Sequence, residues 1–273
     1  MKKQERKLYK DSIRERYLFE GPDQLAKEFG KSRRAIIGQA WLLGVKSLFA
    51  HRRGAQTRAQ NCESLNWRYF DQWTQEGAYV LGFTQADGSV RKDLLQLQFG
   101  LHPRDRCVLD FIKQQLMAKT EVGIRQKRDG SWRAVLNLSN HLLVRAVVEK
   151  GILPRKSYID PPFPEIPEQY FRRFVLGFFD GDGTVKVILG RRKNPEITIA
   201  WLGGERLLSQ LRDKLVERLG LSYRKLYPEK NIKVLQWAAK EDVRKIFVWM
   251  YEDGEFCLER KREKIRTALE MIQ

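Results

Sequence analysis

Residues 79–90 read YVLGFTQADGSV, and residues 174–185 read FVLGFFDGDGTV, at a constant offset of 95 residues. A repeat of that length is a duplicated subdomain, too long for a solenoid unit. One architecture is therefore expected twice. In the first copy Leu95, Leu97 and Phe99 alternate with Gln96 and Gln98, the period of a strand with one apolar and one polar face. A helix is expected over 103–118, opened by Pro103. EVGIRQKR and SWRAVLNLS flank Asp129-Gly130, which reads as a type I′ hairpin. On the second of these strands Trp132, Ala134, Leu136 and Leu138 share one face, and Arg133, Val135 and Asn137 the other. A helix over 140–150 closes the half, with Gly151 as its C-cap. The second copy follows the same order, with helices over 205–219 and 240–251. There the facing is open, because Leu235 and Trp237 compete with Ile232 and Val234 for the core side.

The fold class is thus α+β: two αββαββα halves, 70–158 and 170–273, joined by the Pro-rich connector 159–169 (IDPPFPEIPEQ), which is expected to be stiff and extended. Within each motif Gly82 and Ala86, and likewise Gly177 and Gly181, lie four apart on one helix face. Glycine in a helix costs about 0.5–1 kcal/mol relative to alanine. Close packing of the two motif helices against each other is a reason to bear that cost. Tyr79, Phe83, Phe174 and Phe178 are then expected to point into the core of their own half, while Gly88 and Gly183 read as helix C-caps. Pairing of the helices would bring Asp87 and Asp182 together at one end. Two neighbouring desolvated carboxylates repel unless cations intervene. Hard divalent ions with oxygen ligands, Mg²⁺ first, suit them, and such ions are a standard means of phosphodiester hydrolysis.

VLGFTQADG and VLGFFDGDG resemble the two motif copies of the LAGLIDADG homing endonucleases, over roughly residues 70–270. The resemblance implies pseudo-symmetric halves whose four-stranded antiparallel sheets form a DNA-binding saddle. It implies a site-specific double-strand break in a long asymmetric DNA site, made by a monomer. Asp87 and Asp182 would bind metal, with help from the carbonyls of Ala86 and Gly181. Two or more Mg²⁺ ions are implied, with Mn²⁺ as a substitute. Lys156, in LPRKS, and Lys261, in LERKREK, match the family's basic residues near the scissile phosphates. His102 fits a water-orienting position at the start of a second helix, where the other half offers only Gly203 or Gly204. Gln85 departs from the family's usual Asp, which Asp180 keeps.

Gln96 and Gln98 fall on the solvent face of their strand, and Arg91, Arg125, Lys127 and Arg133 join them as candidate DNA contacts. Lys186, Arg191, Arg192, Arg224 and Lys225 are the candidates in the second half. Gln suits adenine and Arg suits guanine in the major groove. The formal charge of +18 agrees with a polyanionic partner. Half of it lies in residues 1–60, where fifteen basic residues face six acidic ones. Residues 1–50 read as a small all-α, helix-turn-helix-like module. Leu25, Ala26 and Phe29 form one apolar face, Gly30 breaks the chain, and Ser32 caps a second helix with Ile36, Ile37, Ala40 and Leu43 inward. Arg33, Arg34 and Gln39 would face a groove, and a basic linker, 51–69, follows.

No apolar run approaches the ~20 residues of a spanning helix, so no membrane role is expected. Three distant cysteines, Cys62, Cys107 and Cys257, indicate neither a zinc site nor a disulfide framework, and an intracellular compartment is expected. An intein is not expected, since no splice-junction Cys opens the chain and no His-Asn closes it. Two rivals to a nuclease stay open: a non-catalytic DNA-binding transcription regulator on the same scaffold, and a maturase acting on its own intron RNA.

Overall fold

The computed structural model describes residues 3–43, 45, 64–188, 196–251 and 254–271. The chain divides into two compact units, 1–62 and 63–273. In the first, α1 (Lys3–Phe29) and α2 (Arg33–Leu42) form a hairpin around Ile13, Tyr17, Leu25, Ile36 and Ala40. Gly30 makes the turn with φ +58°, and Ser32 Oγ accepts from Ala35 N at 3.2 Å. The first helix is far longer than its apolar face near Leu25 indicated, and it runs through Pro22. Ile37 differs from expectation: it is exposed and lies outside the α1–α2 core that Ile36 and Ala40 enter.

The second unit contains the repeat. Its first half runs α3 (Gln75–Asp87), β1 (Gly88–Val90), β2 (Leu97–Leu101), α4 (Arg106–Gln115), β3 (Gly123–Gln126), β4 (Trp132–Leu138) and α5 (His141–Glu149). A short α6 (Lys156–Ile159) precedes the connector. The second half runs α7 (Glu168–Asp182), β5 (Gly183–Ile188), β6 (Glu196–Gly203), α8 (Glu205–Leu219), β7 (Tyr227–Glu229), β8 (Ile232–Trp237) and α9 (Lys240–Met250). A last helix, α10 (Glu259–Met271), follows, which no strong apolar period announces. Both sheets are four-stranded and antiparallel, with orders β1-β2-β4-β3 and β5-β6-β8-β7. No helix among the described residues is long and apolar enough to cross a membrane.

Caps explain several helix starts. Thr74 Oγ1 accepts from Gly77 N at 2.9 Å, and Asn140 Oδ1 accepts from Leu142 N and Leu143 N. The Asp129-Gly130 turn is not type I′. Only Gly130 has positive φ, Gly130 N donates to Lys127 O, and Lys127 N donates to Ser131 O. That is a type I turn closed by a glycine bulge, the common longer hairpin connection. The open facing of β8 resolves with Leu235 and Trp237 wholly buried and Ile232 exposed. Residues 64–69, read as the end of a linker, pack on the first half: Leu65 is buried and Lys119 N donates to Ser64 O at 2.9 Å.

The core of the unit is the seam between α3 and α7. A Cβ built at Gly82 would lie 1.9 Å from Phe174 O, and one at Gly177 would lie 2.1 Å from Tyr79 O. The backbones touch, so any side chain here would force the halves apart. Farther along, the Gly181 position meets Ala86 Cβ at 2.2 Å. Gly88 and Gly183 are not left-handed caps. Their φ values are −75° and −78°, and a side chain would collide with Thr84 O and with Phe179. Each helix therefore turns directly into its strand.

Tyr79 corrects a second expectation. Its ring packs on Phe111 of its own half and Phe256 of the other, and its hydroxyl donates to Asp180 Oδ2 at 2.8 Å across the seam. A fully buried phenol needs a hydrogen-bond partner, and the carboxylate that meets it belongs to α7. The mirror pair is Phe174 and Gln85. Phe174 has no hydroxyl, and the buried Gln85 Oε1 has no partner among the described residues.

Candidate metal centre and nucleic-acid interface

Asp87 and Asp182 are the last residues of the paired motif helices. The Gly181 Cβ position lies 3.3 Å from Asp87 Oδ2, so the two helix ends converge on one spot. Burial raises the pKa of both. For Asp87, Lys156, Lys261 and Arg133 partly offset it. For Asp182, burial and the repulsion of Asp87 bring the value to about 6.

Two ammonium groups brace this spot. Lys156 Nζ donates to Thr84 O at 2.9 Å and to Gly88 O. Lys261 Nζ donates to Phe179 O and Gly183 O, each at 2.6 Å, which are the 95-residue equivalents of those carbonyls. It reaches Asp180 O and Gly181 O as well, at 2.8 and 3.3 Å. A cation at the carbonyl end of a helix is favoured by the helix dipole. Burial lowers both lysines to about 8, against the pull of the nearby aspartates.

Lys261 is placed by a dense network. Glu255 accepts from Arg172 at 2.7 and 2.6 Å and from Arg173 at 3.2 Å. Leu258 N donates to Asp180 Oδ2 at 2.7 Å. Arg260 forms a two-pronged pair with Asp105 at 2.6 and 2.8 Å. Asp180 itself is pushed up to about 6 by burial, relieved in part by Lys261 and the Tyr79 hydroxyl. It serves the seam and the Lys261 loop, which explains a carboxylate at this position of the second motif.

Among the described residues no group of three or more His, Cys, Asp or Glu side chains could hold a metal. The donor set at the seam is two carboxylates with adjacent main-chain carbonyls. That set fits hard divalent cations that keep ligand positions for water and phosphate. Ala86 and Gly181 immediately precede the two aspartates, and Gly181 O is shared with Lys261.

On the outer face of the first sheet stand Ser89, Gln98, Asn137, Arg133 and Arg125. Gln98 lies opposite both Ser89 and Asn137, and Arg125 lies directly opposite Arg133. Two like charges directly opposite are destabilising in an isolated sheet. Arg133 lies over Gly100, 3.4 Å from where a Cβ would stand. Gln98 Nε2 donates to Gln96 Oε1 at 2.6 Å, and Gln96 Nε2 to Ser139 Oγ at 2.8 Å. Arg91 pairs with Asp93 beside the sheet, and Lys127 is exposed in the hairpin turn. On the second sheet Thr184, Lys186, Thr198, Val234 and Gln236 line one concave surface with Tyr227 and Glu229.

Arg224 is placed elsewhere. It pairs with Asp242 at the start of α9 at 3.7 Å and does not line this surface with the residues above, while Lys225 beside it is exposed. Arg191 and Arg192 lie outside the described residues. In the first unit Arg33 pairs with Asp23 at 2.9 Å with both side chains exposed, Arg34 is exposed, and Gln39 is half-buried. His102 is exposed, and its Nδ1 accepts from Arg104 N at 3.2 Å as the cap of a 3₁₀ turn, Pro103–Asp105. Asn137, Thr198 and Gln236 join this surface beyond the sequence candidates; strand alternation is the signal that points to them. Asp160, which lines a cleft of about 790 Å³ with Gln85, Lys156 and Asp182, had no local signal at all.

No protein-family model matches the chain, and no curated protein matches it significantly. Solved structures do. The LAGLIDADG homing endonuclease I-GzeII in complex with its DNA target superposes with a TM-score of 0.53 at 14% identity, over 71% of this chain and 90% of that one. The meganuclease I-SmaMI bound to uncleaveable DNA superposes with a TM-score of 0.50 at 13% identity, over 70% and 89%. The duplicated halves, the antiparallel sheets and the touching motif helices give this chain the fold of the LAGLIDADG homing endonucleases.

Proposed function

We propose that the chain is a site-specific endonuclease that hydrolyses one phosphodiester bond in each strand of a long, asymmetric DNA duplex. The observation that carries this reading is the convergence of Asp87 and Asp182 at the paired ends of two touching helices. Divalent cations, Mg²⁺ or Mn²⁺, would be held by these carboxylates with the carbonyls of Ala86 and Gly181. When bound they supply charge neutralisation at phosphate and a more acidic water. The protein's own groups do the rest. The sheets seat the duplex through Gln98, Arg125, Arg133, Lys186 and their neighbours. Lys156 and Lys261, each held by main-chain carbonyls, would place positive charge beside the two reacting phosphates. Both halves lie in one chain, so the active unit is a monomer. The basic first unit adds contacts through Arg33 and Arg34.

The test is cleavage of duplex DNA carrying the uninterrupted sequence that flanks the gene. Wild-type protein should cut both strands with Mg²⁺, and its footprint should extend past the sheets on one side only. Asp87→Asn and Asp182→Asn should each abolish the double-strand break while keeping DNA affinity. Wild-type cutting rates in either variant would overturn the assignment. Tight binding without cutting under any divalent ion would favour the regulator, and splicing of intron RNA the maturase.

A further inference from the structure

Lys156 sits on a helix that cannot hold itself in place. The helix α6 has four residues, no side-chain cap at its start, and left-handed residues at both ends, Arg155 (φ +58°) and Asp160 (φ +43°). A single helical turn is unstable alone. A left-handed backbone is disfavoured for most residues, although Asp and Asn tolerate it. Something outside α6 must fix it.

The Lys156 ammonium, on Thr84 O and Gly88 O, is one outside contact, at the start of α6; the contact at its end is at Asp160. Both carboxylate oxygens accept from Arg206 N, at 3.2 and 3.1 Å, in the first turn of α8 in the second half. Gly204, at the N-cap of α8, has no side chain to do this, and a Cβ there would lie 1.9 Å from Asp160 Oδ1. The first half solves the same problem locally. The sheet registers pair Gly88 with Phe99 and Gly183 with Trp201, which aligns His102 with Gly204 and Arg104 with Arg206. Arg104 N is satisfied by His102, and Arg206 N by an aspartate 46 residues away. Phe163 N then donates to Gln210 Oε1 at 2.6 Å, so the connector continues along α8.

We propose that Asp160 is a positioning residue: by capping α8 of the second half it fixes the end of α6, and with it the Lys156 ammonium at the first motif. One half's lysine is thereby set by the other half's helix. The inference rests on the nuclease reading for its effect on cleavage, but not for the latch itself.

Three variants of the full chain test it. Asp160→Gly keeps the left-handed backbone and removes the carboxylate. Gly204→Ala pushes the carboxylate away without touching Asp160. Asp160→Asn keeps an acceptor for Arg206 N and tolerates the backbone. Hydrogen exchange of residues 156–160 without DNA should show lost protection in the first two and wild-type protection in the third. Strand-resolved single-turnover cleavage should show Asp160→Gly and Gly204→Ala slowing one strand by about ten- to hundred-fold, the same strand that Lys156→Met slows, so that nicked DNA accumulates. Asp160→Asn should cut both strands normally. Asparagine as slow as glycine would mean that charge, not capping, matters. Equal slowing of both strands, or unchanged exchange in Asp160→Gly and Gly204→Ala, would equally overturn the latch. If the wild-type chain cuts no DNA, the nuclease reading fails while hydrogen exchange still decides the latch.

Discussion

The two halves hold their lysines by different means. Lys261 lies on a thirteen-residue helix, reaches four carbonyls, and is flanked by the Glu255, Asp180 and Arg260–Asp105 contacts. Lys156 reaches two carbonyls from a four-residue turn pinned at Asp160. The destination of each ammonium is symmetric; the support behind it is not. After duplication the endpoint is fixed by geometry, while the scaffold that reaches it is free to change.

The comparison breaks or sharpens under three measurements. The largest expected effect is on stability. Lys261→Met should cost about 3–5 kcal/mol in denaturant unfolding, because it strips a buried charge from Asp180 and four carbonyls. Lys156→Met should cost about 1–3 kcal/mol; equal losses would erase the distinction between the supports. A smaller effect concerns pH. Asp182 is raised to about 6 in the fold, so in metal-free protein its stabilising contribution is complete below about pH 4 and is lost as pH rises through 6. Asp182→Asn should therefore raise metal-free stability at pH 7 by about 1–3 kcal/mol, flatten part of that slope, and abolish the rise in Tm caused by Mg²⁺. Asp87→Asn should gain less, since Arg133 helps to offset the penalty on Asp87. A larger gain for Asp87→Asn would reverse the ranking of the halves. The smallest effect lies on the sheets. Arg125→Ala and Arg133→Ala should each lower the salt slope of DNA binding by about 1. Gln236→Ala should leave that slope alone and relax base preference at one position. A salt slope equally sensitive at Gln236 would show that the second sheet works as the first does.

Much of this arrangement was legible in the chain. The 95-residue repeat, the small-residue spacing at Gly82 and Gly177, and the alternation at Leu97–Phe99 and Ala134–Leu138 are local signals, and each maps onto one local structure; Leu95, read into the same alternation, falls before β2 and is exposed. Helix 205–219 could be read to the residue because a polar start, an apolar period and Gly220 bound it. What stayed hidden depends on partners far away in sequence. Tyr79 crosses the seam because a hydroxyl needs a buried acceptor, and its acceptor is 101 residues away. Arg224, in the loop before β7, pairs with Asp242, 18 residues on. Asp160 replaces a cap that Gly204 lacks, and no pattern within ten residues of either betrays the exchange.

The Tyr79–Asp180 bond also biases which halves can meet. The touching backbones at Gly82 and Gly177 are blind to identity, so on them alone two first halves would pair as readily as one of each. The polar key is present on one diagonal only. Two copies of the second half would set Phe174 against Asp180 and bury two carboxylates without the phenol; two copies of the first would set Tyr79 against Gln85 and forgo the charged acceptor. A chain severed in the connector should accordingly reassemble as a mixed pair, and the order of the two halves would be written into the seam as well as into the covalent chain.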